Sequence, residues 1–215
     1  IYSHCSNSTL PPYMSFDLLL DCEGFAEAQE AGRIAYQAGG AGACLDALVD
    51  SGKVHVHADL IFGLPGETLE SFAAGFDRLY ALRPHEIQLG LLKRLRGTPI
   101  ARHTRGYGMV YDADPPYAVL QTGAVDSATV QRFIRLARYW DCVANSRRFR
   151  QTLSLLMGGG MSRPVDVDQE YSPFHAFLGL ADWLWSKTGK TSGLSPETLV
   201  DALFDYLCAE RGLPA

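Results

Sequence analysis

No two cysteines in this chain stand close together. The five are Cys5, Cys22, Cys44, Cys142 and Cys208. Neither C-x-x-C nor C-x-x-x-C-x-x-C occurs, which excludes the local signatures of a zinc ribbon, a thioredoxin-like site or an iron–sulfur loop. Odd in number and scattered, they read as reduced thiols of a cytoplasmic protein, several of them buried. Positive charge is also scarce: 19 Lys and Arg stand against 24 Asp and Glu, a net charge of −5. That balance argues against a nucleic-acid surface, which needs clustered basic residues. No Lys or Arg precedes Arg33, so the basic n-region of a signal peptide is missing. Apolar runs such as 16–20, interrupted by Asp17, fall far short of a membrane span. The first Met is Met14, and the chain is expected to be a fragment of a longer protein.

What is present suits a globular protein: 215 residues, 47% hydrophobic and 20% charged, enough for one large domain or two small ones. Residues 1–52 form a poorly defined N-terminal segment, with seven acidic residues and one basic residue, Arg33, in the first fifty. There "STLPPYMS" reads as a loop and "YQAGGAGAC" as a glycine-rich break. Helices are expected over 25–36 and 43–51, with Gly52 as a C-terminal stop.

From Lys53 the pattern sharpens. In "KVHVHADLIFG", Val54, Val56, Ala58, Leu60 and Phe62 alternate with His55, His57, Asp59 and Ile61. Period two with β-branched residues predicts a strand with one apolar and one polar face. "GLPG" cannot continue it. Thr68 has the character of an N-cap with Glu70 in the first turn, and the apolar spacing of Leu69, Phe72, Ala73, Phe76, Leu79 and Tyr80 predicts a helix to about Leu82. "HEIQLGLL" then reads as a second strand, making a β-α-β unit with parallel strands and a right-handed crossover.

After "RGTPIARHTRGYG" the character changes. "YDADPPYAVL" reads as a proline-rich connector. One helix is expected over 128–144, with Val130, Phe133, Ile134, Ala137, Trp140 and Cys142 or Val143 inward. A second is expected over 147–157, stopping at "GGG". Two more, over 173–187 and 196–211, open with Ser172-Pro173 and Ser195-Pro196, Ser as N-cap and Pro as first helical residue. No internal repeat is visible. The expected organisation is 53–110 as the end of an α/β domain and 111–215 as a helical C-terminal domain.

In an α/β fold, ligands bind outside the carboxyl ends of the strands. Polar residues of the first strand near that end are therefore site candidates. Asp59 can accept two hydroxyl hydrogen bonds from a ribose, Ile61 on the same face can flank a base, and Gly63 and Gly66 let backbone approach a ligand. The plainer alternative makes Asp59 a structural partner of an Arg. His55 and His57 lie deeper and read as hydrogen-bonded histidines rather than metal ligands. A GLPG turn alone is weak: it matches neither the P-loop nor the dinucleotide fingerprint.

"DLIFGLPGET", a helix, and "HEIQLGLLKRLRGTPIA" together resemble the late barrel strands of radical S-adenosylmethionine (radical SAM) enzymes. The resemblance is to the branch holding the oxygen-independent coproporphyrinogen oxidases and the cobalamin-binding-domain proteins. "GYGMVYDADPPYAVLQT" and the helices after it resemble the uncharacterised helical C-terminal domain of some cobalamin-type members; together the likeness covers 53–215. It implies the last strands of a partial (β/α) barrel followed by a helical domain. It further implies Asp59 on the ribose hydroxyls of S-adenosylmethionine, Ile61 on its adenine, Gly63 shaping the loop, and Leu92, or Leu91 if the strand parity is the other one, as a further adenine contact. A [4Fe–4S] cluster and possibly cobalamin belong to the parent enzyme, with a small-molecule substrate, and neither is ligated by this chain. The chain departs from the family in having no triple-cysteine loop, no early strands and no recognisable cobalamin-binding domain. The missing N-terminal part of the same protein is the implied partner, and an exposed sheet edge is expected. No membrane or nucleic-acid partner is expected.

Two other functions compete. "FHAFLGLADWLWSKTG" could offer Phe174, Phe177, Trp183 and Trp185 as the groove of a non-catalytic helical interaction module. The plainer reading is a helical core, for which Phe174, Phe177, Leu178, Ala181 and Leu184 keep the spacing. A weaker reading is a metal hydrolase using His55, His57, Asp59 and His85.

Overall fold

In the computed structural model the described residues are 14–15, 37, 39–40, 42–157 and 171–212. The helix expected over 25–36, together with Cys5 and Cys22, lies outside them. The chain divides into two compact units, Ile1–Ser127 and Ala128–Ala215. The class is mixed α/β with small sheets and a helical C-terminal region.

In the first unit, the described residues 37, 39–40 and 42–51 are helical, several of them within the stretch read as a glycine-rich break, and this helix α1 buries Leu45 and Leu48. Gly52, with φ +62°, ends it and donates its N–H to Val49. A short strand β1 (Met14–Ser15) pairs antiparallel with β2 (His57–Phe62), and β2 pairs parallel with β3 (Glu86–Leu91). The alternation read in the sequence is the alternation of burial. Val54, Val56, Ala58, Leu60 and Phe62 are all at most 4% exposed, while His55, His57, Asp59 and Ile61 are half-buried. Regular pairing begins only at His57, but Val56 already accepts hydrogen bonds from the backbone of His85 and Glu86.

Between the two parallel strands runs α2 (Leu69–Ala81). Thr68 caps it reciprocally: its hydroxyl accepts from the Ser71 N–H, and the Ser71 hydroxyl accepts from the Thr68 N–H. Phe72, Ala73, Phe76 and Leu79 form the buried stripe of this helix. After β3 comes a 3-10 turn, Pro99–His103, and then a hairpin of β4 (Val110–Tyr111) and β5 (Val119–Gln121). The hairpin is where the sequence predicted a proline-rich connector. Strands of two and three residues are too short to display a period, and their turn is made by the very prolines that mark a loop.

The second unit is helical: α3 (Ser127–Trp140), a π-helical turn (Asp141–Asn145), α4 (Arg150–Leu156), α5 (Pro173–Thr188) and α6 (Pro196–Arg211). Ser172 and Ser195 cap α5 and α6 through the N–H groups of His175 and Thr198, as the Ser-Pro starts predicted. Glycines in the left-handed region, Gly189 and Gly212, end both helices. The buried stripe of α3 is Val130, Phe133, Leu136, Tyr139 and Trp140. Leu136 and Tyr139 take the places expected for Ile134 and Ala137. Tyr139 can be buried because its hydroxyl donates to the Lys190 carbonyl at 2.8 Å, leaving no unpaired polar atom at the end of an apolar ring. Helix α4 starts later than the expected 147–157, because Arg147 sits at φ +59° and breaks the chain direction.

Phe174, Phe177, Leu178, Ala181 and Leu184 are all buried, so the core reading of α5 holds, and Trp140 packs edge-on to Phe177. Trp185 is 40% exposed with the Arg135 guanidinium 5.0 Å from its ring centre. Cys44, Cys142 and Cys208 are half-buried rather than buried. Among the described residues no helix is long and apolar enough to cross a membrane.

Candidate ligand site at the carboxyl end of the parallel strands

The register between β2 and β3 sets the site. His57 pairs with Glu86, Asp59 with Gln88, Ile61 with Gly90 and Phe62 with Leu91. Paired residues of a parallel ladder share a face. The polar face therefore carries His57, Asp59 and Ile61 beside Glu86, Gln88 and Gly90. Leu91 goes with Phe62 on the apolar side. Leu92, whose N–H donates to the Phe62 carbonyl, follows with the parity of Ile61.

Along this face polarity falls toward the carboxyl end. His55 Nε2 lies 3.6 Å from Glu86 Oε2, and His57 Nε2 lies 3.1 Å from Asp59 Oδ1. His85 accepts the Val56 N–H on Nδ1 at 3.0 Å, which places its own proton on Nε2. Asp59 thus faces a histidine of its own strand. His55, His57, Asp59 and His85 are a histidine–carboxylate ladder. Among the described residues no group of three or more His, Cys, Asp or Glu could hold a metal ion.

Past Asp59 the face becomes apolar. Leu92, Met109 and Val119 are buried together, and Ile61, Leu64, Leu91, Ile100 and Tyr111 pack against them. Ile61 and Leu92 therefore meet in one cluster, two residues beyond the carboxylate. Opposite Ile61, Gly90 leaves the face low. Among the described residues a Cβ there would meet only the Leu60 carbonyl at 3.7 Å and Ile61 Cγ1 at 3.9 Å, ordinary contacts. Packing among the described residues does not require that glycine.

The loop of 63–66 closes this end of the face. Gly63 has φ +92°, and a Cβ on it would lie 2.6 Å from Val119 Cγ1. Its close neighbour is thus the β5 strand, which answers why glycine is needed there. Gly66, φ +81°, lies under the Tyr107 ring, whose Cε1 would be 3.2 Å from an added Cβ.

Glu67 was not singled out from the sequence, yet it anchors the loop. It is 3% exposed, and its Oε2 accepts the N–H of Gly63 at 2.8 Å and of Leu64 at 3.3 Å. Burial raises its pKa to about 7, against the lowering effect of those two hydrogen bonds. A glutamate just before an N-cap looks like ordinary helix-start charge, and only the fold shows it turned inward. Val119 was missed as well, because it lies in the stretch read as a connector.

An iron–sulfur cluster does not fit the described residues: Cys44, Cys142 and Cys208 lie on three separate helical segments with no shared loop. A carboxylate, an apolar pair and a glycine follow in order along one face of the two strands.

Fold and site together define a mixed α/β protein whose parallel β-α-β edge precedes a helical C-terminal region. The chain belongs to the family described as protein of unknown function (DUF4080), whose model matches residues 105–212 and so takes in both the β4–β5 hairpin and the helical unit. No curated protein matches the chain.

Proposed function

We propose that this chain is the C-terminal part of a radical SAM iron–sulfur enzyme. In this reading it contributes the last strands of the barrel and one edge of the S-adenosylmethionine site, and it is inactive alone. The observation that carries the proposal is the order of groups on one face of β2 and β3: Asp59, then Ile61 opposite Gly90, then the loop at Gly63. Asp59 would hold the ribose hydroxyls, Ile61 and Leu92 would flank the adenine, and the Glu67-braced loop would set the height of the edge. Given one electron from a reduced cluster, S-adenosylmethionine would supply a 5′-deoxyadenosyl radical with release of methionine, and the cysteines for that cluster would belong to another part of the parent protein. The resemblance of "DLIFGLPGET" and "HEIQLGLLKRLRGTPIA" to the late barrel strands supports the same reading, as does the parallel register of the two segments. In this reading the parent enzyme would be cytoplasmic, with a small-molecule substrate and a cobalamin as a further cofactor of its branch.

The test is calorimetric titration of the chain with S-adenosylhomocysteine. Weak binding, Kd on the order of 1 mM, is expected, lost on Asp59→Ala and weakened by Gly90→Val. Equal binding by the wild type and both variants would remove the site from this face.

A further inference from the structure

Between Glu86 and Asp112 the chain has no acidic residue, and within that stretch lie Lys93, Arg94, Arg96, Arg102 and Arg105. A protein of net charge −5 thus places five of its 19 Lys and Arg in thirteen consecutive residues. All five are exposed, and among the described residues none has a carboxylate partner. Like charges held together without counter-charges repel one another, and a folded protein gains nothing from such an arrangement unless an anion relieves it.

The segment is held by its own backbone. Lys93 bridges to Ala118, and the Arg94 N–H donates to the Tyr117 carbonyl at 3.0 Å. Thr98 and Thr104 close turns onto the Leu95 and Ala101 carbonyls, and the Met109 N–H returns to Thr104 at 2.9 Å. The Arg94 guanidinium lies 5.2 Å from the centre of the Tyr111 ring, a contact that orients the group and leaves its N–H edge unused. At the other end Arg102 Nε donates to His103 Nε2, the His103 ring leans on Tyr107, and Tyr107 covers Gly66. Ile100 joins the apolar cluster of Ile61 and Leu92. The basic segment therefore starts at the end of β3 and returns to the 63–66 loop, beside the candidate site.

We propose that residues 93–105 form a cationic rim that recognises a small molecule carrying two or more phosphate or carboxylate groups, with Arg94 and Arg96 as its principal anion contacts. As a statement about substrate it rests on the reading of the β2–β3 face as a ligand edge. An acidic substrate would be drawn to that edge through the long-range field of the rim and oriented by guanidinium forks.

The test uses the full chain and two probes, inorganic pyrophosphate and tricarballylate, titrated by calorimetry at one ionic strength set with potassium chloride. Saturable binding of at least one probe is expected, weakened about tenfold or more by the double variant Arg94→Gln/Arg96→Gln. The double variant Arg78→Gln/Arg150→Gln removes the same charge elsewhere and should leave binding unchanged. Which probe binds tells a phosphate substrate from a carboxylate one. Three results would each overturn the proposal: no binding of either probe, equal weakening in the two double variants, or preferential binding of single-stranded RNA of about twenty nucleotides through the same arginines. The titration with S-adenosylhomocysteine separates this idea from the proposed function. Loss of nucleoside binding with pyrophosphate binding intact leaves the rim and removes the cofactor edge; the converse removes the rim alone.

Discussion

Glu67 concentrates the chemistry of the loop in one residue. Its carboxyl is buried, holds the N–H groups of Gly63 and Leu64, and has its pKa raised to about 7. The unfolded chain releases this proton near pH 4.5 and the folded chain near pH 7, so the folded state binds the proton more tightly. Stability is therefore highest below the unfolded value and falls as pH rises toward 7. Glu67→Gln keeps an acceptor for the two N–H groups and has no charge to bury. Its stability should stay level between pH 5 and 8, equal to wild type at the acid end and greater by up to about 3 kcal/mol at the basic end. Urea unfolding at several pH values measures this, and parallel pH profiles for the two proteins would exclude Glu67 as the source.

At the scale of elements, β2, the loop and α2 are positioned by two different contacts. Thr68 and Ser71 start the helix by local capping, which the sequence displays. The loop is instead held from outside, by Val119 of β5 lying where a Gly63 side chain would be. Gly63→Ala should destabilise the chain by about 2 kcal/mol or more, from the left-handed φ together with the overlap. Val119→Ala removes the overlap but not the φ cost, so Gly63→Ala should cost less in that background. A double-mutant cycle in urea reads the coupling, and strict additivity would show that Val119 does not confine the loop.

For the whole molecule, the family match and the radical SAM resemblance concern adjoining stretches of one chain. Residues 105–212 belong to a family without an assigned activity. The β-α-β edge before them carries the order of groups on which the proposed nucleoside site rests. No triple-cysteine loop is present, so reconstitution of this chain with iron and sulfide is expected to give no [4Fe–4S] absorption. The same treatment of a polypeptide that also carries an upstream C-x-x-x-C-x-x-C loop should give about four irons per chain. Cluster incorporation by the present chain alone would require a ligand set its sequence does not display.

Much of this was legible in the sequence because the deciding forces are local. Alternation in "VHVHADLIF" dictates the two faces of β2, Ser-Pro dictates where α5 and α6 start, and the spacing of Phe174, Phe177, Leu178, Ala181 and Leu184 dictates which side of α5 is buried. The candidate residues Asp59 and Ile61 followed from that alternation together with the place of ligands at the carboxyl ends of parallel strands. The remaining features depend on neighbours distant in sequence. Strand register put Gly90 beside Ile61 and gave Leu92 the parity of their face; the hairpin hidden among prolines brought Val119 onto Gly63; burial turned Glu67 from surface charge into the brace of the loop. The periodicity of a chain determines which way each side chain points. Which group it meets there is decided only when the strands pair and water is excluded between them.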